Sequence, residues 1–198
     1  MSVQGREFDE AMVQALRLAS AAGAEGDVPV GAVVLDHGGK VIGVGRNRRE
    51  ADGDPFAHAE LEALGDAARR RNGADGEDSG GVCGCRARGS GATEAGDRAS
   101  AAADVGVRRA WNLADCTLVV TLEPCPMCAG AALETHVGRI VFGAWDAKLG
   151  ACGSVWDIPR DPHVGAVPEI IGGVREPECA RLLKDFFVGH RRPHDSNE

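Results

Sequence analysis

Two cysteines three residues apart, Cys125 and Cys128 in Pro124-Cys125-Pro126-Met127-Cys128, are the first residues whose spacing could do chemistry. The run Thr117 to Leu122 before them is β-branched and leucine-rich, consistent with a buried strand. Pro126 is tolerated in the first turn of a helix, so the pair stands at a predicted helix N-terminus. Unpaired amides and the positive end of the helix dipole stabilise thiolates there. By itself such a pair serves equally as a redox couple or as half of a structural zinc site, and further ligands must decide. His58 and Glu60 in Phe56-Ala57-His58-Ala59-Glu60 open a second predicted helix after Pro55, continued by Leu61, Ala63 and Leu64. Residues i and i+2 do not share a helix face, so both approach one metal only if it sits off the helix end. In that geometry His58, Cys125 and Cys128 make three zinc ligands and leave a fourth position for water, the arrangement of a catalytic zinc. Glu60 is then the unbound carboxylate beside that water, placed to move protons.

The H-x-E and P-C-x-x-C elements resemble the signature of the zinc-dependent nucleoside and nucleobase deaminases. Further blocks narrow the resemblance: Val28 to Val33, Gly45 to Arg48, Thr121 to Ala131, and Arg139 to Ala144 followed by Asp146-Ala147-Lys148. Together they are similar to the bacterial tRNA-specific adenosine deaminases, from about Phe8 to about Phe187 with one large interruption. The resemblance implies an α/β chain with the three-layer α/β/α cytidine deaminase-like fold, a mixed five-stranded sheet, one Zn2+ per subunit and a homodimer. It implies hydrolytic deamination of adenosine to inosine at the wobble position, with a tRNA anticodon stem-loop as partner. In its terms Asn47 hydrogen-bonds the purine, and Pro29 and Val30 wall the pocket. Asp146 and Lys148 belong to the block that marks the tRNA branch, and Phe186 and Phe187 on a terminal helix approach the anticodon loop. The amides of Ala59 and Cys125 face the cleft and orient water and substrate.

The elements that must position these residues are legible as periodicities. Phe8, Met12, Ala15, Leu16 and Ala19 recur at helical spacing before Gly23, predicting a helix that packs one face on a sheet. Val30 to Leu35 and Val41 to Val44 predict two antiparallel strands joined by Asp36-His37-Gly38-Gly39-Lys40, with His37 in solvent. Asn47 follows the second strand and precedes the His58 helix, so the chain there passes the metal region; a plain turn role is the alternative. Arg139 to Phe142 and Glu169 to Ile171 predict further strands, with His136 at a helix end rather than a fourth ligand. A closing helix, Glu178 to Val188, carries Leu182, Leu183, Phe186 and Phe187, and both phenylalanines equally suit the core. Gly165-Ala166-Val167-Pro168 stands where the family carries an asparagine-histidine pair.

Composition bounds the rest. A chain of 198 residues with 43% hydrophobic content suits a single domain over 1–198, large enough to bury a core around a metal. From about 72 to about 109 it turns to Gly, Ala, Ser, Asp and Arg with almost no large apolar residue, which predicts a disordered insertion. Loop-closure entropy rises slowly with length, so the metal site tolerates the excursion. Cys83 and Cys85 within it are read as free thiols, and Cys116 and Cys179 as small buried groups. The odd count of 7 cysteines excludes a simple secreted disulfide framework. No apolar run approaches a transmembrane length and Met1 to Glu10 is polar, so no membrane partner and a cytoplasmic location are expected. A net charge of −8 weighs against an RNA partner, yet a phosphate footprint is local. Arg46, Arg48, Arg49, Lys148, Lys184, Arg191 and Arg192 could supply one. Two competing functions remain: a guanine or cytosine deaminase acting on the free base, and a non-catalytic zinc-binding RNA module. Glu60 argues against the second and the Asp146-Ala147-Lys148 block against the first.

Overall fold

The computed structural model describes residues 7–72, 111–165 and 167–189. The expected insertion beyond Asn72, with Cys83 and Cys85, lies outside them, as do Ala166, Arg191 and Arg192. Alternation along the central strand sets the architecture. In β3 (Thr117–Leu122) Leu118 and Val120 point into one apolar cluster and Val119 into another. β1 (Gly31–Leu35) divides the same way, Ala32 and Val34 against Val33 and Leu35, and so does β4 (Arg139–Ala144), Ile140 and Phe142 against Val141. Strands buried on both faces read as continuous apolar runs because each face carries its own helix layer. With β2 (Val41–Arg46) and β5 (Glu169–Ile171) the sheet order is β2-β1-β3-β4-β5. β1 is antiparallel to β2 and β3, while β3, β4 and β5 run parallel, so the sheet is mixed and five-stranded as expected.

One cluster lies under α3 (Ala59–Arg71) and α4 (Pro126–Glu134), the other under α1 (Asp9–Ala24) and α5 (Glu176–Gly189). The expected three layers are therefore present. The approach of α3 to β2 depends on Gly45, where a Cβ would overlap the carbonyl oxygen of Ala59, the first residue of α3. A short helix, α2 (Arg49–Asp52), was not expected from periodicity. Its first amides are satisfied from far upstream: buried Asp27 accepts hydrogen bonds from the Glu50 and Ala51 amides at 2.9 and 3.1 Å. No local sequence pattern announces such a cap.

α5 starts at Glu176, two residues before the expected Glu178, and its phenylalanines are not core residues. Phe187 is 50% exposed and Phe186 half-buried, their rings edge to face at 5.5 Å. Cys116 and Cys179 are buried as expected, and His37 is exposed. His136 ends α4 in the left-handed region (φ 56°), exposed and beside Trp111. No helix among the described residues is long and apolar enough to cross a membrane.

Arg71, at the end of α3, donates to the Asp115 carboxylate and to the Asn112 carbonyl, each at 2.6 Å. The two ends of the 73–110 interval are thus fastened by contacts that lie outside it. Replacing residues 74–108 with a short Gly/Ser linker is expected to leave melting temperature and zinc content nearly unchanged. Calorimetry and metal analysis check this, and a large loss of either would tie that segment to the core or the metal.

Candidate active site

β3 runs out of the sheet through Glu123 and Pro124 and delivers Cys125 as the N-cap of α4, with Pro126 at its first position. His58 is likewise the N-cap of α3, in an extended conformation (φ −82°, ψ 146°). Both ligands therefore sit just off helix ends that meet, which is how residues 67 and 70 apart in sequence come together. His58 Nδ1 lies 3.9 Å from Cys125 Sγ and 3.5 Å from Cys128 Sγ, and all three donor atoms fall within 4.8 Å of one another. Tetrahedral zinc with bonds of about 2.0–2.1 Å to nitrogen and about 2.3 Å to sulfur separates its ligand atoms by roughly 3.5–3.8 Å. The cluster matches that spacing, and one imidazole with two thiolates is a soft donor set that suits zinc.

The site is short of positive charge. Cys125 is pulled down to about 4, first by the Cys128 thiol that donates to it and then by His58, while Cys128 is pushed up because it keeps that proton. The neighbouring Cys125 sulfur raises His58. Glu60, 4% exposed, is pushed up to about 7, chiefly by burial and further by the charge on Cys125. A bound cation would displace protons from these groups and compensate the charge they keep.

The residues expected on the substrate side fall into two groups. Asn47 is buried; its amide donates to the Val30 carbonyl at 2.9 Å and its Nδ2 to the Val28 carbonyl at 3.2 Å. This ties it to the segment carrying Pro29 and Val30, both buried, and places Asn47 beside the His58 helix through a bond from Arg48 N to the Ala57 carbonyl. Asp27, missed in the sequence, fastens the same stretch through α2. Ala59 is fully buried at the start of α3. Near Gly23 the side chains of Pro29 and Phe186 come together, which brings α5 to this edge, with Phe187 exposed beside it. The second group is the loop after β4. There Asp146 Oδ1 accepts from the Lys148 and Leu149 amides at 2.9 and 3.2 Å, leaving the Lys148 side chain exposed. Arg46 and Arg48 are engaged by Glu25 and Asp52.

Three side chains that suit zinc meet between two helix starts on a mixed sheet, and the family model of the cytidine and deoxycytidylate deaminase zinc-binding region matches residues 6–144. The chain is 44% identical, over 92% of its length, to a tRNA(Ile)-lysidine synthase of Deinococcus radiodurans, but it spans only about a quarter (25%) of that protein. It is 38% identical to the tRNA-specific adenosine deaminase of Haemophilus influenzae over 93% of this chain and 86% of that protein. Among solved structures it is similar to a tRNA:A34 deaminase, with a TM-score of 0.64 and 29% identity over 86% of this chain and 96% of the other. The chain belongs to the cytidine and deoxycytidylate deaminase family and, within it, to the tRNA-specific adenosine deaminases.

The thiol asymmetry gives a direct test. In chelated protein at pH 6, Cys125 should be alkylated by iodoacetamide well before Cys116, Cys152 and Cys179, which burial pushes up to about 11, 12 and 11. Added zinc should suppress the reaction. Peptide mass mapping reads both, and indiscriminate labelling of these cysteines would contradict the assignment.

Proposed function

We propose that this chain hydrolyses the exocyclic amine of adenosine to give inosine at the wobble position of a tRNA anticodon, acting in the cytoplasm as a homodimer. One observation carries the reading: a buried carboxylate, Glu60, beside the His58–Cys125–Cys128 cluster in a chain of this family. These three side chains would hold zinc, whose Lewis acidity would let water lose a proton near neutral pH. Glu60 accepts that proton and passes it to the purine ring nitrogen as C6 is attacked, then takes the proton of the newly added C6 hydroxyl and gives it to the amine, which leaves as ammonia. Burial pushes the Glu60 carboxyl up, toward the range in which one group can both take and give a proton. The positive ends of α3 and α4 draw charge from two sulfur ligands that would otherwise blunt the metal.

Asn47 supports recognition of a base. Its Nδ2 must face the Val28 carbonyl, which fixes the amide orientation and leaves Oδ1 buried without a partner. An orphaned acceptor is costly unless a ligand N–H fills it. The names of the relatives, deaminases and lysidine synthases alike, concern tRNA. For phosphate contacts the reading relies on Arg49, whose charge opposes protonation of His58, and on exposed Lys148 and Lys184.

An anticodon stem-loop assayed for inosine beside free guanine and cytosine tests the reading. Glu60→Ala should keep stoichiometric zinc and lose turnover by at least about 10²-fold; loss of zinc would make Glu60 a ligand. Asn47→Ala should cost about 1–3 kcal/mol in kcat/KM, roughly 5- to 150-fold, with zinc intact. On the stem-loop kcat/KM should fall as salt rises, with a log-log slope of about −0.7 per single-strand phosphate contact. Deamination of free guanine or cytosine with a flat salt response, and none of the stem-loop, would replace this reading with the small-molecule one.

A further inference from the structure

Glu123 lies two residues before Cys125, is 1% exposed, and takes no part in the chemistry described above. Its carboxylate accepts three backbone N–H groups from one loop: Oε2 from Asp146 at 3.0 Å, and Oε1 from Cys152 at 2.9 Å and Ser154 at 3.0 Å. The main chain on either side joins in, with Glu123 N donating to the Ala144 carbonyl at 2.8 Å and Ala151 N to the Pro124 carbonyl at 2.9 Å. Ser154 Oγ closes the loop on the Asp146 carbonyl at 2.8 Å. Gly150 passes so close that a Cβ there would overlap Glu123 Oε2 and Ser154 Oγ. The loop is wound around the carboxylate. A buried carboxylate is costly unless hydrogen-bonded, and buried amides without acceptors are costly too, so neither side is stable without the other.

The loop so held is the substrate-side segment that starts at Trp145 and carries Asp146 and Lys148. Trp145, Leu149, Val155 and Trp156 are all exposed on it, and the Trp145 ring rests edge-on against Phe142 at 4.7 Å. We propose that Glu123 is a positioning residue that holds the 146–156 loop in register with the Cys125–Cys128 turn. The wall that meets substrate is then ordered from the metal-ligand segment before any substrate arrives. What the loop touches rests on the tRNA reading above; that Glu123 orders it does not.

Glu123→Gln tests this with little change of shape. Three N–H groups converge on two oxygens, so a glutamine, whichever way its amide turns, sets an NH2 against at least one of them. Amide exchange in peptides covering 145–156 should accelerate about tenfold or more while β3 and α3 keep their protection. Zinc should stay stoichiometric, and KM for the stem-loop should rise roughly fivefold or more with kcat little changed. Met12→Ala, in the core of α1, serves as a destabilised control and should lower the melting temperature without moving KM. If Glu123→Gln does not fold, Gly150→Ala drives a methyl into the carboxylate from the loop side and should give the same pattern. Unchanged exchange over 145–156, loss of zinc, or a fall in kcat at constant KM would overturn the proposal. A wild-type protein inactive on the stem-loop would sink the tRNA reading alone, because the exchange and zinc results stand without it.

Discussion

Everything in the site depends on two helices beginning at the same place. His58 and Cys125 are both N-caps; the His58 side chain makes no capping bond to its helix, and Cys125 turns its sulfur toward Cys128 and His58. Their donor atoms face one another, His58 Nδ1 at 3.9 Å from Cys125 Sγ, with the positive ends of both helices behind them. This resolves the awkward spacing of His58 and Glu60. A side chain on an extended N-cap projects beyond the helix, while Glu60 sits within its first turn, so two residues that share no face reach one point. The meeting of the helices is in turn a backbone matter, since α3 lies on β2 at a separation that only a glycine such as Gly45 permits.

The same arrangement sets the charge balance. Two sulfurs, a carboxylate and one imidazole are gathered in one partly buried cluster, where Cys125 is pulled down while Cys128 and Glu60 are pushed up. A divalent ion answers this deficit. Burial raises the Glu60 carboxyl, and the charge on Cys125 raises it further, so its state is tied to the same cluster that would bind the metal.

Much of this was legible in the sequence because it is local. The strands are short apolar runs, α4 is marked by Pro126, and His58, Glu60, Cys125 and Cys128 announce themselves by residue type. What escaped notice was long-range. Asp27 reads as a surface turn residue, yet it caps a helix 22 residues further on. Phe186 and Phe187 look like core by hydropathy, but α5 fully buries only Cys179, and their exposure is decided by which side of the helix meets β4 and α1. Glu123 has the residue type of a solvated charge and the burial of a valine, and only tertiary structure distinguishes the two.

Asp27 and Glu123 form a pattern of their own. Each is a buried carboxylate that accepts main-chain amides, Asp27 from the start of α2 after Asn47 and Glu123 from the loop that begins at Asp146. Main-chain amides are supplied by any residue except proline, so a wall held this way keeps its backbone path while its outward side chains remain free to differ. That freedom accounts for a loop that presents Trp145, Leu149, Val155 and Trp156 to solvent without loss of order, in a chain whose net charge of −8 offers phosphates little general attraction. The shape of that apolar loop rests on the carboxylate beneath it, which three of its main-chain amides share.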